Sequence, residues 1–91
     1  MADMEVQFDK AAEDVKKLKT SPADADLLEI YGWFKQATVG DADPANKPGF
    51  LDFKGKAKFE AWSKNKGKSK EEAQKAYIAK VESLIASIGL Q

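Results

Sequence analysis

The chain has 91 residues with neither cysteine nor histidine, and its 15 Lys and Arg balance 15 Asp and Glu. That size bounds a modest core, so a single domain over residues 1–91 is expected. A disulfide framework, thiolate chemistry, an imidazole base and a histidine metal site are excluded, and no net field draws the chain to nucleic acid.

No apolar run approaches the roughly 20 residues that cross a bilayer. The first residues lack the charged and apolar segments of a secretory leader, so a cytoplasmic location is expected. From Met4 the apolar positions Met4, Phe8, Ala11 with Ala12, Val15 and Leu18 recur in steps of three and four, which predicts a first helix. Thr20-Ser21-Pro22 breaks it. Ser21 reads as an N-cap with Pro22 at the first position of a second helix, which stops at Gly40.

Within that second helix, Leu27, Ile30, Phe34 and Ala37 form one buried stripe. Tyr31 and Lys35, four apart, share its flank with Leu28 beside them. A hydroxyl and an ammonium at the edge of an apolar surface suit a ligand with an anionic head and a greasy tail. Asp41 to Leu51 follows with Pro44, Pro48 and Gly49 and no sustained period, a loop of about a dozen residues that either orders over the core or serves the ligand. Asp41-Ala42-Asp43 has an acidic spacing but lacks the further ligands of a calcium loop.

A third helix fits Phe53 to Lys66, closed by Gly67, with Phe59 and Trp62 inward and Lys54 and Lys58 along one edge. Ser69-Lys70-Glu71-Glu72 reads as a capping box opening a fourth. Its stripe runs Ala73, Ala76 with Tyr77, Val81, Leu84 with Ile85, and Ile88. Phe8, Ala12, Val15, Tyr77, Val81 and Leu84 are expected to knit the first and last helices together. Trp33 falls on a partly exposed flank. Four amphipathic helices and no strand pattern give an all-α bundle, whose order in space the pattern leaves open.

The stretch Tyr31-x-x-x-Lys35-Gln36-Ala37-Thr38-x-Gly40-Asp41 is followed by Lys47-Pro48-Gly49-x-Leu51-Asp52-Phe53-Lys54-Gly55-Lys56-Ala57-Lys58-Phe59-x-Ala61-Trp62. Together they resemble the signature of the acyl-CoA-binding proteins. The likeness continues to Lys75-Ala76-Tyr77-Ile78-x-Lys80-Val81-Glu82 and covers essentially the whole chain.

The resemblance implies a four-helix up-down-down-up bundle of the acyl-CoA-binding type, with the long loop crossing between helices two and three. It implies a non-catalytic carrier of medium- to long-chain fatty acyl-CoA, with that thioester as ligand and neither cofactor nor metal. The expected form is a monomer in transient contact with membranes or acyl-CoA-using enzymes. Residue by residue, Tyr31 helps hold the ribose 3′-phosphate, Lys35 and Lys58 hold phosphates, and Lys16 lies near the adenine and phosphates. Tyr77 lines the nucleotide end. Phe34 stands where many members have tyrosine beside the adenine, keeping the stacking face without the hydroxyl. Small Ala12 lets the adenine approach the first helix. Leu27, Leu28 and the stem of Lys54 line the tail groove, although Leu27 also reads as ordinary core.

Taken without the resemblance, each lysine reads as a solvated helix face and each tyrosine as core with its hydroxyl at the surface. A small helical protein-interaction module is then the alternative. A lipid-surface protein would need a polybasic face, which the neutral balance argues against. A thioesterase would need a base for Ser63, Ser69, Ser83 or Ser87, and the chain has no histidine.

Overall fold

Apolar residues three and four apart wind into α1 (Ala2–Asp14), α2 (Asp24–Thr38), α3 (Phe53–Ser63) and α4 (Lys70–Ile88). The structure, a computed structural model, describes residues 2–49 and 51–91, so Phe50 of the long loop lies outside the described residues. A 3₁₀ turn, Val15–Lys17, prolongs α1, and another, Pro44–Asn46, lies in the loop. Asp43 caps that second turn by accepting from the Ala45 amide at 2.9 Å.

The contacts fix the helix directions. Along α1 and α4, the Phe8 ring meets Tyr77 in the first half of α4, and Leu18 bridges Leu90 beyond its end, so the two run parallel. Lys80 of α4 reaches back to Asp26 at 2.7 Å and Glu29 at 3.3 Å near the start of α2, whereas Gln36 near the end of α2 meets Lys68 before α4; these two run antiparallel. Lys58 lies over Tyr31 and Trp62 under Lys35, so α3 runs with α2. The result is up-down-down-up, as the resemblance implies.

Helix α2 packs on both α3 and α4, and α1 packs on α4. The molecule measures 37 × 31 × 15 Å. Packing thus runs from α3 to α2 to α4 to α1, and the Phe8 ring on Phe34 also brings α1 against α2. The core lies between α1, α2 and α4: Phe8, Ala11, Leu18, Ile30, Ala37, Ala73, Tyr77, Val81 and Leu84. The end of the chain is tied down, since Lys19 donates to the Gly89 carbonyl at 2.9 Å and Gln91 to that of Lys17 at 2.8 Å.

Caps account for the boundaries. Ser69 and Glu72 form the expected reciprocal capping box. Gly40, Gly67 and Gly89 close their segments at φ of +104°, +92° and +92°, a region that disfavours a β-carbon. The start of α2 differs from the expectation. Ala23, extended at ψ 154°, is the N-cap rather than Ser21, and no side chain caps it. Asp24 and Asp26 instead place carboxylates in the first turn, where they face the positive end of the helix dipole. Helix α3 ends at Ser63, earlier than Lys66, because Asn65 and Lys66 donate to carbonyls three residues back and tighten the chain into turns.

Leu27 is also corrected. It is 42 % exposed, outside the buried stripe. At roughly 100° per residue it lies about 40° from Tyr31 but about 80° from Ala37, so it turns away from α4.

Helices α2 and α3 meet at Gly32. A β-carbon there would stand 2.6 Å from the Ala61 carbonyl oxygen, a backbone atom that cannot swing aside. Gly32→Ala should therefore destabilise the fold by about 1–3 kcal/mol in urea unfolding, despite alanine's better helix propensity. An unchanged or raised midpoint would mean that the two helices do not approach this closely.

Candidate functional site

Because α2 and α3 run parallel and their backbones nearly touch, side chains just beside the contact cross from one helix to the other. The ammonium of Lys35 on α2 lies 5.0 Å from the centre of the Trp62 ring on α3. The ammonium of Lys58 on α3 lies 5.5 Å from the centre of the Tyr31 ring on α2. Each contact is worth about 0.5–1 kcal/mol where solvent reaches it, enough to orient the amines. Between them opens a pocket of about 330 Å³, to which Pro48 of the loop and Phe59 of α3 also contribute. No carboxylate lines it, and neither lysine has an acidic partner within ion-pair distance among the described residues. Two ammonium groups and a phenol therefore face a space that only an outside anion can neutralise.

One corner holds this arrangement in place. Gln36, 0 % exposed, donates from Nε2 to Asp41 Oδ1 and to the Lys68 carbonyl, both at 2.8 Å. The same carboxylate oxygen accepts from the Gly67 amide at 2.9 Å. The amide can take only this orientation, because turning it over would aim an acceptor at two acceptors. Its Oε1 is buried without a partner among the described residues. Beside this clamp, the Trp62 indole N–H donates to the Gly40 carbonyl at 2.7 Å. The end of α2, the start of the loop and the α3–α4 connection are thereby joined, and the ring under Lys35 is fixed.

The remaining expected residues fall elsewhere. Phe34 stacks on Phe8 at 5.7 Å and 15° and tilts against Tyr77 at 5.7 Å, an aromatic cluster where α1, α2 and α4 meet. Tyr77 is 2 % exposed, and burial raises its phenol pKa. Ala12 packs, half-buried, against the same core. Lys16 is exposed in the turn after α1. Lys54 is exposed one turn before Lys58.

Leu28 lines a larger groove of about 450 Å³, with Trp33, Glu29 and Glu60 among its walls. Glu29 and Trp33 sit about 160° around α2 from Tyr31, so this groove opens on the other side of the α2–α3 contact. The pattern expected Phe59 and Trp62 as core. Trp62 is buried, but both rings, 6.2 Å apart and edge to face, wall the lysine pocket. Their spacing from Lys58, one and four residues on, was the available signal. Pro48 had none.

The comparisons decide the family. The model of the family described as acyl CoA binding protein matches residues 5–81. The chain belongs to the acyl-CoA-binding protein family. It is 69 % identical over 88 residues to an acyl-CoA-binding protein homolog of Manduca sexta, covering 97 % of this chain and 98 % of that one. It is 56 % identical over 86 residues to acyl-CoA-binding protein homolog 1 of Caenorhabditis elegans, covering 94 % and 99 %. Among solved structures, Oryza sativa acyl-CoA-binding protein 2 superposes with a TM-score of 0.85 at 39 % identity, covering 92 % of each chain.

The clamp has a pH signature. The Gly67 amide, then the Gln36 amide, hold the Asp41 pKa below its ordinary 3.8, and Lys66 adds to this. The Ser69 amide and hydroxyl likewise hold Glu72 below 4.5. Carboxylates depressed in the folded state contribute stability that is full above their unfolded values and lost as pH falls through the folded ones. Urea midpoints should thus hold steady from neutral pH and drop below the ordinary range of these two acids. Asp41→Asn should show a lower midpoint at neutral pH and a shallower acid limb. A limb as steep as wild type would remove Asp41 from the clamp.

Proposed function

We propose that this chain binds medium- to long-chain fatty acyl-CoA thioesters and carries them, with no bond made or broken. The observation that carries the reading is the convergence of Lys35 and Lys58, from separate helices, on one pocket with Tyr31 and no acid. The CoA phosphates belong there, each charged hydrogen bond being worth roughly 1.5–3 kcal/mol. The adenine belongs beside Phe34, Ala12 and Lys16, above the ring cluster that includes Tyr77. The tail contacts are Leu27 and the Lys54 stem, one turn before Tyr31 and Lys58, together with Leu28, which lies at the seam about 60° around α2 from Tyr31 and so also borders the groove beyond it.

Sequestration is the mechanism. Each buried methylene contributes about 0.8 kcal/mol, so the protein competes with micelles and bilayers for the free thioester. Catalysis has no support in the residues: Ser69 is engaged as a cap, and the chain holds no histidine to activate a serine. No helix among the described residues is long and apolar enough to cross a membrane. We read residues 1–91 as one acyl-CoA-binding domain acting as a cytoplasmic monomer.

Two measurements test this. Lys35→Ala should weaken acyl-CoA binding at least about tenfold in calorimetry, the loss of one charged hydrogen bond, while leaving the helical circular dichroism unchanged. Unchanged affinity would take Lys35 out of the site. In a chain-length series, affinity should rise by as much as roughly fifteenfold per two carbons until the groove is full, and exceed that for CoA alone or fatty acid alone. Equal binding of CoA and acyl-CoA would show that the tail is not held.

A further inference from the structure

The larger groove behind the seam has no part in the carrier reading beyond the edge it shares at Leu28. It exists because Ala25 on α2 and Ala57 and Ala61 on α3 are too small to fill the space between the helices. Its volume of about 450 Å³ falls within the range of small-molecule sites. Trp33 of α2 supplies an aromatic wall. That residue sits half-buried at the edge of the core, and its indole N–H makes no hydrogen bond among the described residues, whereas that of Trp62 is bonded.

Each helix sends one carboxylate to this groove, Glu29 from α2 and Glu60 from α3. Glu60 has no basic partner within ion-pair distance among the described residues. Glu29 shares Lys80 at 3.3 Å with Asp26, which holds that ammonium closer at 2.7 Å, and the Glu29 side chain stays 49 % exposed. Lys64, the one cation among the described residues that line the groove, stands where α3 ends. At that end lies Asn65, only 9 % exposed and yet without a hydrogen bond from its side chain among the described residues. Buried amides are almost always paired, because an unpaired one gives up water for nothing. A β-carbon on Gly32 would stand 3.0 Å from Asn65 Nδ2, so this amide lies at the seam itself, where it lines the groove.

A site built in this way takes a cation with an apolar body. Two carboxylates on facing walls accept from an ammonium, an indole face adds attraction for positive charge, and the alanines leave a slot for a flat ring. Asn65 offers a donor and an acceptor to the ligand's other end. Acyl-CoA answers none of these groups: its tail brings no charge to the acids, and its phosphates are repelled by them.

We propose that this groove binds a small amphiphilic amine, with the ammonium between Glu29 and Glu60, a ring against Trp33 and a polar group on Asn65. The site is separate from the lysine pocket and stands whether or not the chain carries acyl-CoA.

The test is a titration of the ligand-free, nitrogen-15-labelled chain with tryptamine, with its neutral N-acetyl derivative and with indole-3-propionate. The side-chain amide of Asn65 and the indole N–H of Trp33 are the reporters. Tryptamine should move both, with an affinity at least about tenfold above that of either comparison compound, and should bind more weakly at high salt. Glu60→Gln, at an exposed position, should lose at least about fivefold of the tryptamine affinity while keeping the helical circular dichroism. Reporters unmoved by tryptamine at millimolar concentration would overturn the proposal. So would an anion that binds as well as the amine, or a Glu60→Gln variant that binds tryptamine like wild type. Calorimetry with acyl-CoA keeps the two readings apart: Glu60→Gln should bind the thioester like wild type, and failure of both proteins to bind it would count against the carrier and not the amine site.

Discussion

The close approach of two parallel helices at Gly32 and Ala61 is the constraint on which the site depends. Among the described residues helix α3 packs on no helix but α2, so every residue it brings to the pocket is placed by that one seam. A bulkier residue at the crossing would separate Lys58 from Tyr31 and Trp62 from Lys35. The seam alone would let α3 pivot. The Gln36–Asp41–Gly67 corner and the Trp62–Gly40 hydrogen bond remove that freedom at its C-terminal end. A buried glutamine with one oxygen unpartnered among the described residues carries a desolvation cost of about 1–3 kcal/mol, which its two donated bonds, one to a carboxylate, offset. The polar corner thus fixes geometry more than it adds stability.

The other half of the molecule is built differently. Helices α1, α2 and α4 share an apolar core, and the aromatic cluster of Phe8, Phe34 and Tyr77 gives it a ring-lined edge. The reach of Lys80 to Asp26 and Glu29 pins the start of α2 to α4, and those carboxylates, Asp26 first, raise the lysine's pKa. So α2 is anchored by apolar packing on one side and presents its polar, ring-bearing side to α3. An amphiphilic ligand would meet both kinds of surface.

Much of this was legible in the residues. Steps of three and four gave all four helices, and Ser69 with Glu72 gave the cap of the last. Tyr31 and Lys35 at a spacing of four were placed together on one flank, because a regular helix fixes azimuth. Properties set by the partner element were not legible. Leu27 fits the stripe by spacing yet is exposed, since α4 covers only the Ile30–Ala37 side. Ser21 has the chemistry of a cap, but the chain is still extended at Ala23. Nothing marks Gln36 as buried or Pro48 as a wall, because each acquires its role from residues distant in sequence.

The central claim is that α2 and α3 present one anion-binding face, and amide chemical-shift mapping during an acyl-CoA titration tests it most directly. The largest shifts should fall on Tyr31, Lys35, Gly55 and Lys58, with the Trp62 indole N–H moving alongside them. Shifts centred instead on Ala25, Glu29, Glu60 and Lys64, with the Trp62 indole unmoved, would place the ligand in the groove on the other side of the seam and contradict the account.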